Sequence, residues 1–446
     1  MGNSLAKKYN LSSNHAATAG HLNLWRIHNG DRGGKEVSVW VFEREGLQSL
    51  GIDRSQEELI LRIMRADLLA MSSFECEGLI RAYEVSEDTK GHFIQMINDM
   101  FVKILIGSQS IAFVSERILY SLSDLLSQFK NFPSSRLRDY ASSESLSDIE
   151  ISRGLLNLIE GLQYLHTVQR KLHLSVSPEN IVVTAASFQW KLCGLGLSLG
   201  LQSGESKLAS PYFLKETALP KGVYFEPNLE YSCPEMTAMN PSTPLRYLTP
   251  AADVFSLGVI LYEVYHFLLK SPDMQTKRLL MVPGNSMSSH QAQCLNFRSR
   301  MQTSAFPSPV LLLLEGMLQQ DGTRRFSLVN LLSSTFFNTG QISTLKAVEM
   351  IQARDVGTQA SILTALHSQI PSFPPRIIEG TILPSLCRLV ISNSSMWTYV
   401  LPLHVLIAGK HRASNLDLLL AYAVLPQSTF PPTCTEASPR SQYASV

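Results

Sequence analysis

Strand signals crowd the first half of this chain and stop after Phe337. WRIHNG and KEVSVWVFERE set Val, Trp and Phe around a Gly-rich turn at Gly30–Gly34, which predicts a β-hairpin within residues 20–45. Leu59, Ile63, Ala66 and Ala70 recur at helical spacing and predict a helix over 55–71. Residues 91–120 are apolar and rich in strand formers, and 131–148 are polar and Ser-rich, hence a loop. Ile151, Leu155, Leu158, Leu162 and Leu165 then fall on one helical stripe. NIVVT and WKLCGL read as short strands, 200–250 as irregular chain, and VFSLGVILYEVYHFLL as a buried helix, apolar on all sides. Strands segregated from helices predict an α+β domain with a small sheet lobe and a large helical lobe. Beyond it, segments near 343–353, 358–369, 375–391 and 396–408 all read as helices. Ile382-Leu383-Pro384 and Val400-Leu401-Pro402 recur eighteen residues apart, about one helix plus a turn, as in the stacked helix pairs of a short α-helical solenoid.

Composition narrows the function classes. Of 446 residues, 45% are apolar and 17% charged, so the chain can bury a sizeable core and is not globally disordered. Lys plus Arg is 38 against 37 for Asp plus Glu, which leaves no bulk field to draw nucleic acid or acidic lipid. Six scattered cysteines without a Cys-x-x-Cys pair indicate neither a metal site nor a disulfide framework, and fit a reducing compartment. The longest apolar runs, near Val310–Leu314, Val400–Ala408 and Leu418–Leu425, fall short of the ~20 residues a spanning helix needs. MGNSLAKK lacks the apolar core of a secretory signal, and Ala6 stands where an N-myristoylation motif wants Ser or Thr. From Pro426 the chain is rich in Pro, Ser and Thr, the composition of a disordered tail. The expectation is a cytoplasmic protein that meets membranes only peripherally.

Five segments then follow in a telling order: HLSVSPENIVV from His173, WKLCGLGLS from Trp190, YSCPE from Tyr231, DVFSLGVILYEV from Asp253 and DGTRRFS from Asp321. Together they resemble the catalytic loop, metal-binding loop, activation-segment end, buried large-lobe helix and closing arginine of a protein kinase. The resemblance covers residues 15–337 and implies a two-lobed protein kinase-like fold. It also implies that Glu235 pairs with Arg325, that Asp253 holds the catalytic-loop backbone and that His173 packs beneath it.

Phosphoryl transfer needs charge at fixed places: a Lys on the third strand for the phosphates, an Asp for magnesium, an Asp to take the substrate proton and an Asn for a second metal. The corresponding positions here are Trp40, Gly194, Ser175 and Asn180. An indole neutralises no phosphate charge, a glycine offers magnesium no side-chain oxygen, and a serine hydroxyl is too weakly basic near neutral pH to replace a carboxylate. Removing one positioned electrostatic group typically costs ~3–4 kcal/mol of transition-state stabilisation. No catalytic residue is therefore expected. Gly20, nearly alone in the reduced Gly-rich loop AGHLNLW, and Asn180 are what remains of a nucleotide and metal site. No cofactor is required, though an adenine could still reach backbone at the hinge near Glu116. Asp67, opposite Trp40 with nothing to pair, is expected to be a solvated charge, and Cys193 a core thiol.

MGNSLAKKYNL, WRIHNG, PENI, WKL, EPNLEYSCPE and PPRIIEGTILPSL resemble the Scy-like pseudokinases, coated-vesicle-associated branch. That resemblance implies a catalytically impaired scaffold in clathrin-dependent traffic, peripheral on Golgi, endosomal or coated-vesicle membranes, with HEAT-type repeats over 341–409 and clathrin and adaptor complexes as partners. Residues 410–446 diverge from the family pattern, and residues 91–108 look like an insertion between small-lobe strands. Two other readings compete: a weak atypical Ser/Thr protein kinase using Asn180, and an interaction solenoid carrying a remnant lobe.

Overall fold

A computed structural model describes residues 5, 8–48, 51–88, 110–126, 146–202, 218–219, 223–224, 227–237, 248–268, 290, 294 and 306–410. The 91–108 insertion and the tail beyond 410 lie outside the described residues.

The small lobe is an antiparallel sheet of β1 (His15–Ala19), β2 (Trp25–Arg32), β3 (Lys35–Glu43), β4 (Glu84–Asp88) and β5 (Ser110–Glu116), in the order β1-β2-β3-β5-β4. The predicted hairpin is β2–β3, but its turn is shorter than the Gly-rich run suggested. Gly30 pairs with Val37 inside the ladder, and only Gly33 and Gly34 take the positive φ that the reversal needs. Alternation along β3 sends Ser38, Trp40 and Phe42 to one face and Val37, Val39 and Val41 to the other. The first face packs on α1 (Arg54–Ser73), which starts at a capping box between Asp53 and Gln56.

The large lobe begins at β6 (Ile118–Ser121) and α2 (Leu122–Leu126), one residue beyond β5. The leucine stripe forms α3 (Asp148–Thr167), capped reciprocally by Ser147 and Glu150. Short strands β7 (Lys171–Leu172), β8 (Ile181–Thr184) and β9 (Trp190–Leu192) carry the catalytic-loop and metal-loop segments, with β6-β8-β9 as one antiparallel sheet. The apolar helix is α4 (Ala251–Leu268), buried over most of its length, followed by α5 (Ser308–Met317) and α6 (Leu328–Leu332).

After Phe337 come helices alone among the described residues: α7 (Gly340–Glu349), α8 (Val356–Gln369), α9 (Leu383–Ser392, entered through a helical stretch from Pro375) and α10 (Trp397–Lys410). The two Leu-Pro steps occupy unlike places. Pro384 opens α9 and lacks the N–H that would close a regular turn, and a wide π turn at Ile378–Ile382 directly precedes it; Pro402 lies inside α10. One apolar core runs without a break from α3 and α4 into these helices. Ion pairs Arg153–Glu349 (3.0 Å) and Arg376–Glu150 (3.3 Å) tie α3 to them, and Arg153 also donates to the Ser187 carbonyl at 2.7 Å. Gly380 lies so close to Phe188 and the Ser187 backbone that a side chain there would collide with both.

Candidate functional site

Trp40, Asp67, Ser175, Asn180 and Gly194 come from both lobes, and Glu235, Arg325 and Asp253 lie within the large lobe. In the small lobe, Trp40 is fully buried and stacks on Phe113 (centroids 5.0 Å apart, 24° between planes). Its Nε1–H donates to Ser115 Oγ at 2.8 Å, and that hydroxyl donates on to the Glu116 carbonyl at 2.8 Å. Two residues before Trp40 on the same face, Ser38 Oγ accepts the Ile118 N–H at 2.9 Å. The Glu116 carbonyl and the Ile118 N–H are the backbone groups at the crossing from β5 to β6, where the hinge was expected. Both already have hydroxyl partners inside the protein. The Glu116 carboxylate is turned to Lys191 Nζ, 2.6 Å away.

In the large lobe, Asp253 accepts the backbone N–H groups of His173 (2.9 Å) and Leu174 (2.8 Å) and contacts His166 Nε2 at 2.8 Å. Burial alone would raise its carboxyl; the His166 bond and charge, with His173 and the backbone donors, outweigh burial and hold it below the usual range. His173 is fully buried, its Nε2 meets the Cys193 carbonyl at 3.0 Å and its Nδ1 accepts the Ser175 N–H at 3.2 Å, which assigns the neutral Nε2–H tautomer. Glu235 and Arg325 form the implied pair with two contacts, 2.7 and 2.6 Å, and the guanidinium lies over Phe255. Cys193 is fully buried, and burial pushes its thiol well above the ordinary value, as a core thiol requires.

The degenerate positions are knitted together. The Asn180 amide nitrogen contacts the Ser175 carbonyl (2.7 Å), Ser175 Oγ (2.9 Å) and Ser177 Oγ (3.2 Å). Its Oδ1 is buried and has no hydrogen-bond partner among the described residues. Gly194 stands against that oxygen with φ 73° and ψ 38°, and a Cβ there would fall inside the Asn180 amide. The oxygen that should help hold a metal thus occupies the room a metal-binding aspartate would need. Among the described residues, no three His, Cys, Asp or Glu side chains gather to hold a metal ion. The residues present do not make the charge set that magnesium and a triphosphate demand.

Asp67 corrects the sequence reading. It is 1% exposed, not solvated, because it lies on the inward stripe of α1. Its carboxylate accepts Trp25 Nε1–H at 2.9 Å and the Leu195 N–H at 2.8 Å, across the cleft from one another. Burial drives its carboxyl up to about 6, although the Trp25, Leu195 and Gly194 N–H groups pull the other way. Gly20, in the reduced Gly-rich loop, has φ 78°, and its N–H donates to the Glu179 carbonyl of the catalytic loop at 2.7 Å. Four further residues join the site that sequence reasoning passed over: Thr18, Asp124, Ser38 and Ser115. Thr18 on β1 bonds through both N–H and Oγ1 to the Asp124 carboxylate on α2, each at 3.1 Å. Ser38 and Ser115 had a faint signal, a small polar residue at an inward position of an otherwise apolar strand.

The protein kinase domain family profile matches residues 53–337, well over half of the chain. The chain is 25% identical over 381 residues to "Protein kinase domain-containing protein ppk32" of Schizosaccharomyces pombe, covering 81% of this chain and 45% of that protein. It is 24% identical over 417 residues to mouse "SCY1-like protein 2" (92% and 40%). Over 410 residues it is 22% identical to "Protein kinase-like protein SCY1" of Saccharomyces cerevisiae (86% and 46%). The chain belongs to the protein kinase domain family, and the curated relatives it resembles include SCY1-like proteins. It spans less than half the length of these curated relatives.

Proposed function

We propose that this chain is a catalytically impaired protein kinase-like scaffold, a pseudokinase that needs no cofactor. The observation that carries this reading is the placement of Asn180 Oδ1 in the space a carboxylate at 194 would fill. Trp40 in place of a phosphate-gripping cation and Ser175 in place of a base support it, because neither can stabilise transferred charge. The unbroken core and the two ion pairs joining α3 to α7 and to the stretch before α9 support a rigid platform, whose trailing helices are HEAT-type repeats.

The resemblance to the Scy-like group directs the scaffold to clathrin-dependent traffic on the cytoplasmic side of Golgi, endosomal or coated-vesicle membranes. No helix among the described residues is long and apolar enough to cross a membrane. Calorimetric titration with ATP, with and without magnesium, joined to a phosphate-transfer assay, tests the catalytic half. Magnesium-dependent binding with turnover would refute it. Co-sedimentation with clathrin and adaptor complexes tests the traffic half, and absence of both from the pellet would refute it.

The unpartnered Asn180 Oδ1 favours one rival, a weak atypical kinase that binds metal through this oxygen. The same titration separates the two.

A further inference from the structure

The glycine strap that lies over nucleotide in an active kinase is here bonded to the large lobe by its own backbone. β1 is an edge strand, and the Thr18 N–H that faces away from β2 would otherwise be an open donor. Asp124 closes it and takes the Thr18 hydroxyl as well. The next free donor along the strap, Gly20 N–H, is closed by the Glu179 carbonyl. Deeper in the cleft, Asp67 bridges Trp25 of β2 and the Leu195 backbone of the metal loop. Three separate sets of contacts therefore join small lobe to large lobe.

Both carboxylates are buried, Asp124 at 4% and Asp67 at 1% exposure. Burying a carboxylate is unfavourable unless several donors surround it. Asp124 is held by the Thr18 N–H, the Thr18 hydroxyl and the Ser121 N–H; Asp67 by an indole and backbone N–H groups. In each case donors come from both lobes, so part of the donor set is lost when the lobes separate. Opening the cleft would leave either anion short of partners.

We propose that Asp124 and Asp67 are positioning residues that staple the lobes in one closed arrangement, taking over the bridging task that nucleotide and metal perform in an active kinase. The inference shares with the preceding section the premise that no nucleotide is needed, and the experiment separates the two.

The test is hydrogen–deuterium exchange on the full chain, with and without ATP and magnesium, followed on peptides covering 15–25 and 170–176. In the wild type the strap amides exchange at least ~100-fold slower than free chain with nothing added, and ATP with magnesium adds no protection. Asp124→Ala speeds strap exchange at least ~10-fold while the His173–Leu174 peptide, held by Asp253, is unchanged. Should Asp124→Ala loosen both peptides, Thr18→Val decides, since it removes only the hydroxyl bond: faster strap exchange supports the staple, unchanged exchange overturns it. Free exchange of the wild-type strap, with no nucleotide bound, overturns the staple and leaves the scaffold reading standing. Strap protection that appears only with ATP and magnesium overturns the staple, and phosphate transfer alongside it removes the scaffold reading too.

Discussion

Asn180 Oδ1 lies where a side chain on Gly194 would have to begin. The two positions that should share a metal instead exclude each other's function. Asn180 is fixed in that pose by Ser175, which stands at the position of the catalytic base, and by Ser177. The losses are therefore coupled, and no single reversion undoes them.

Gly194→Asp is expected to destabilise the domain without creating magnesium binding. The left-handed backbone adds a modest cost, since Asp tolerates that region better than most residues. The clash with the buried amide dominates, and the sum should be ~2–3 kcal/mol, in the range of overpacked cores. Thermal unfolding with and without magnesium checks this, and the double change Gly194→Asp with Asn180→Ala should recover much of the loss.

Asp67 sets a pH dependence of stability. Its carboxyl is raised from 3.8 to about 6, so the folded state holds the proton more tightly than the unfolded state. Relative to the unfolded chain, the fold favours the neutral form; its stabilising contribution is full below about 4 and is lost as pH rises through about 6, above which the group is an anion. Roughly two pKa steps correspond to ~3 kcal/mol. The neighbours facing it are Trp25, the Gly194 and Leu195 backbone and the Cys193 thiol, which burial keeps protonated throughout. Urea midpoints measured between pH 4 and 7 should show this slope in the wild type, and Asp67→Asn should flatten it.

Ser38→Ala should cost ~1–3 kcal/mol, because it strands the buried Ile118 N–H. Ser115→Ala strands the Trp40 indole N–H in the same way and should cost a similar amount. Chemical denaturation of each variant measures both, and a neutral effect at Ser38 would mean that water or a moved backbone satisfies Ile118.

Glu235→Ala should lower stability by less than the ~3–5 kcal/mol typical of a broken buried pair. The Arg325 side chain is fully buried, but it also donates to the carbonyls of Gln319, Gln320 and Ala251, which remain after the change. Arg325→Ala removes all of these bonds at once and should be the more damaging of the two by calorimetric melting.

Much of the fold was legible because it rests on periodicity. The leucine stripe of α3, the apolar run of α4 and the four trailing helices are each written in local spacing, and each stands where spacing put it. The hairpin turn was misjudged at Gly30, because a glycine marks permission for a turn and the ladder overrode it there. The Leu-Pro recurrence carried no positional meaning, since proline can sit at the start of one helix and inside the next.

At the site, residue identity was enough to frame the expectation: an indole, a hydroxyl and a bare backbone cannot grip phosphate, base a proton or hold magnesium. That is chemistry intrinsic to the side chains, and the amino-acid order alone determined it. What replaces the lost charges was decided only by tertiary structure. Asp67 and Trp25 are forty-two positions apart, and Thr18 and Asp124 are separated by 106. A carboxylate reads as solvated or buried only once the chain has closed around it, because its fate depends on donors brought from both lobes.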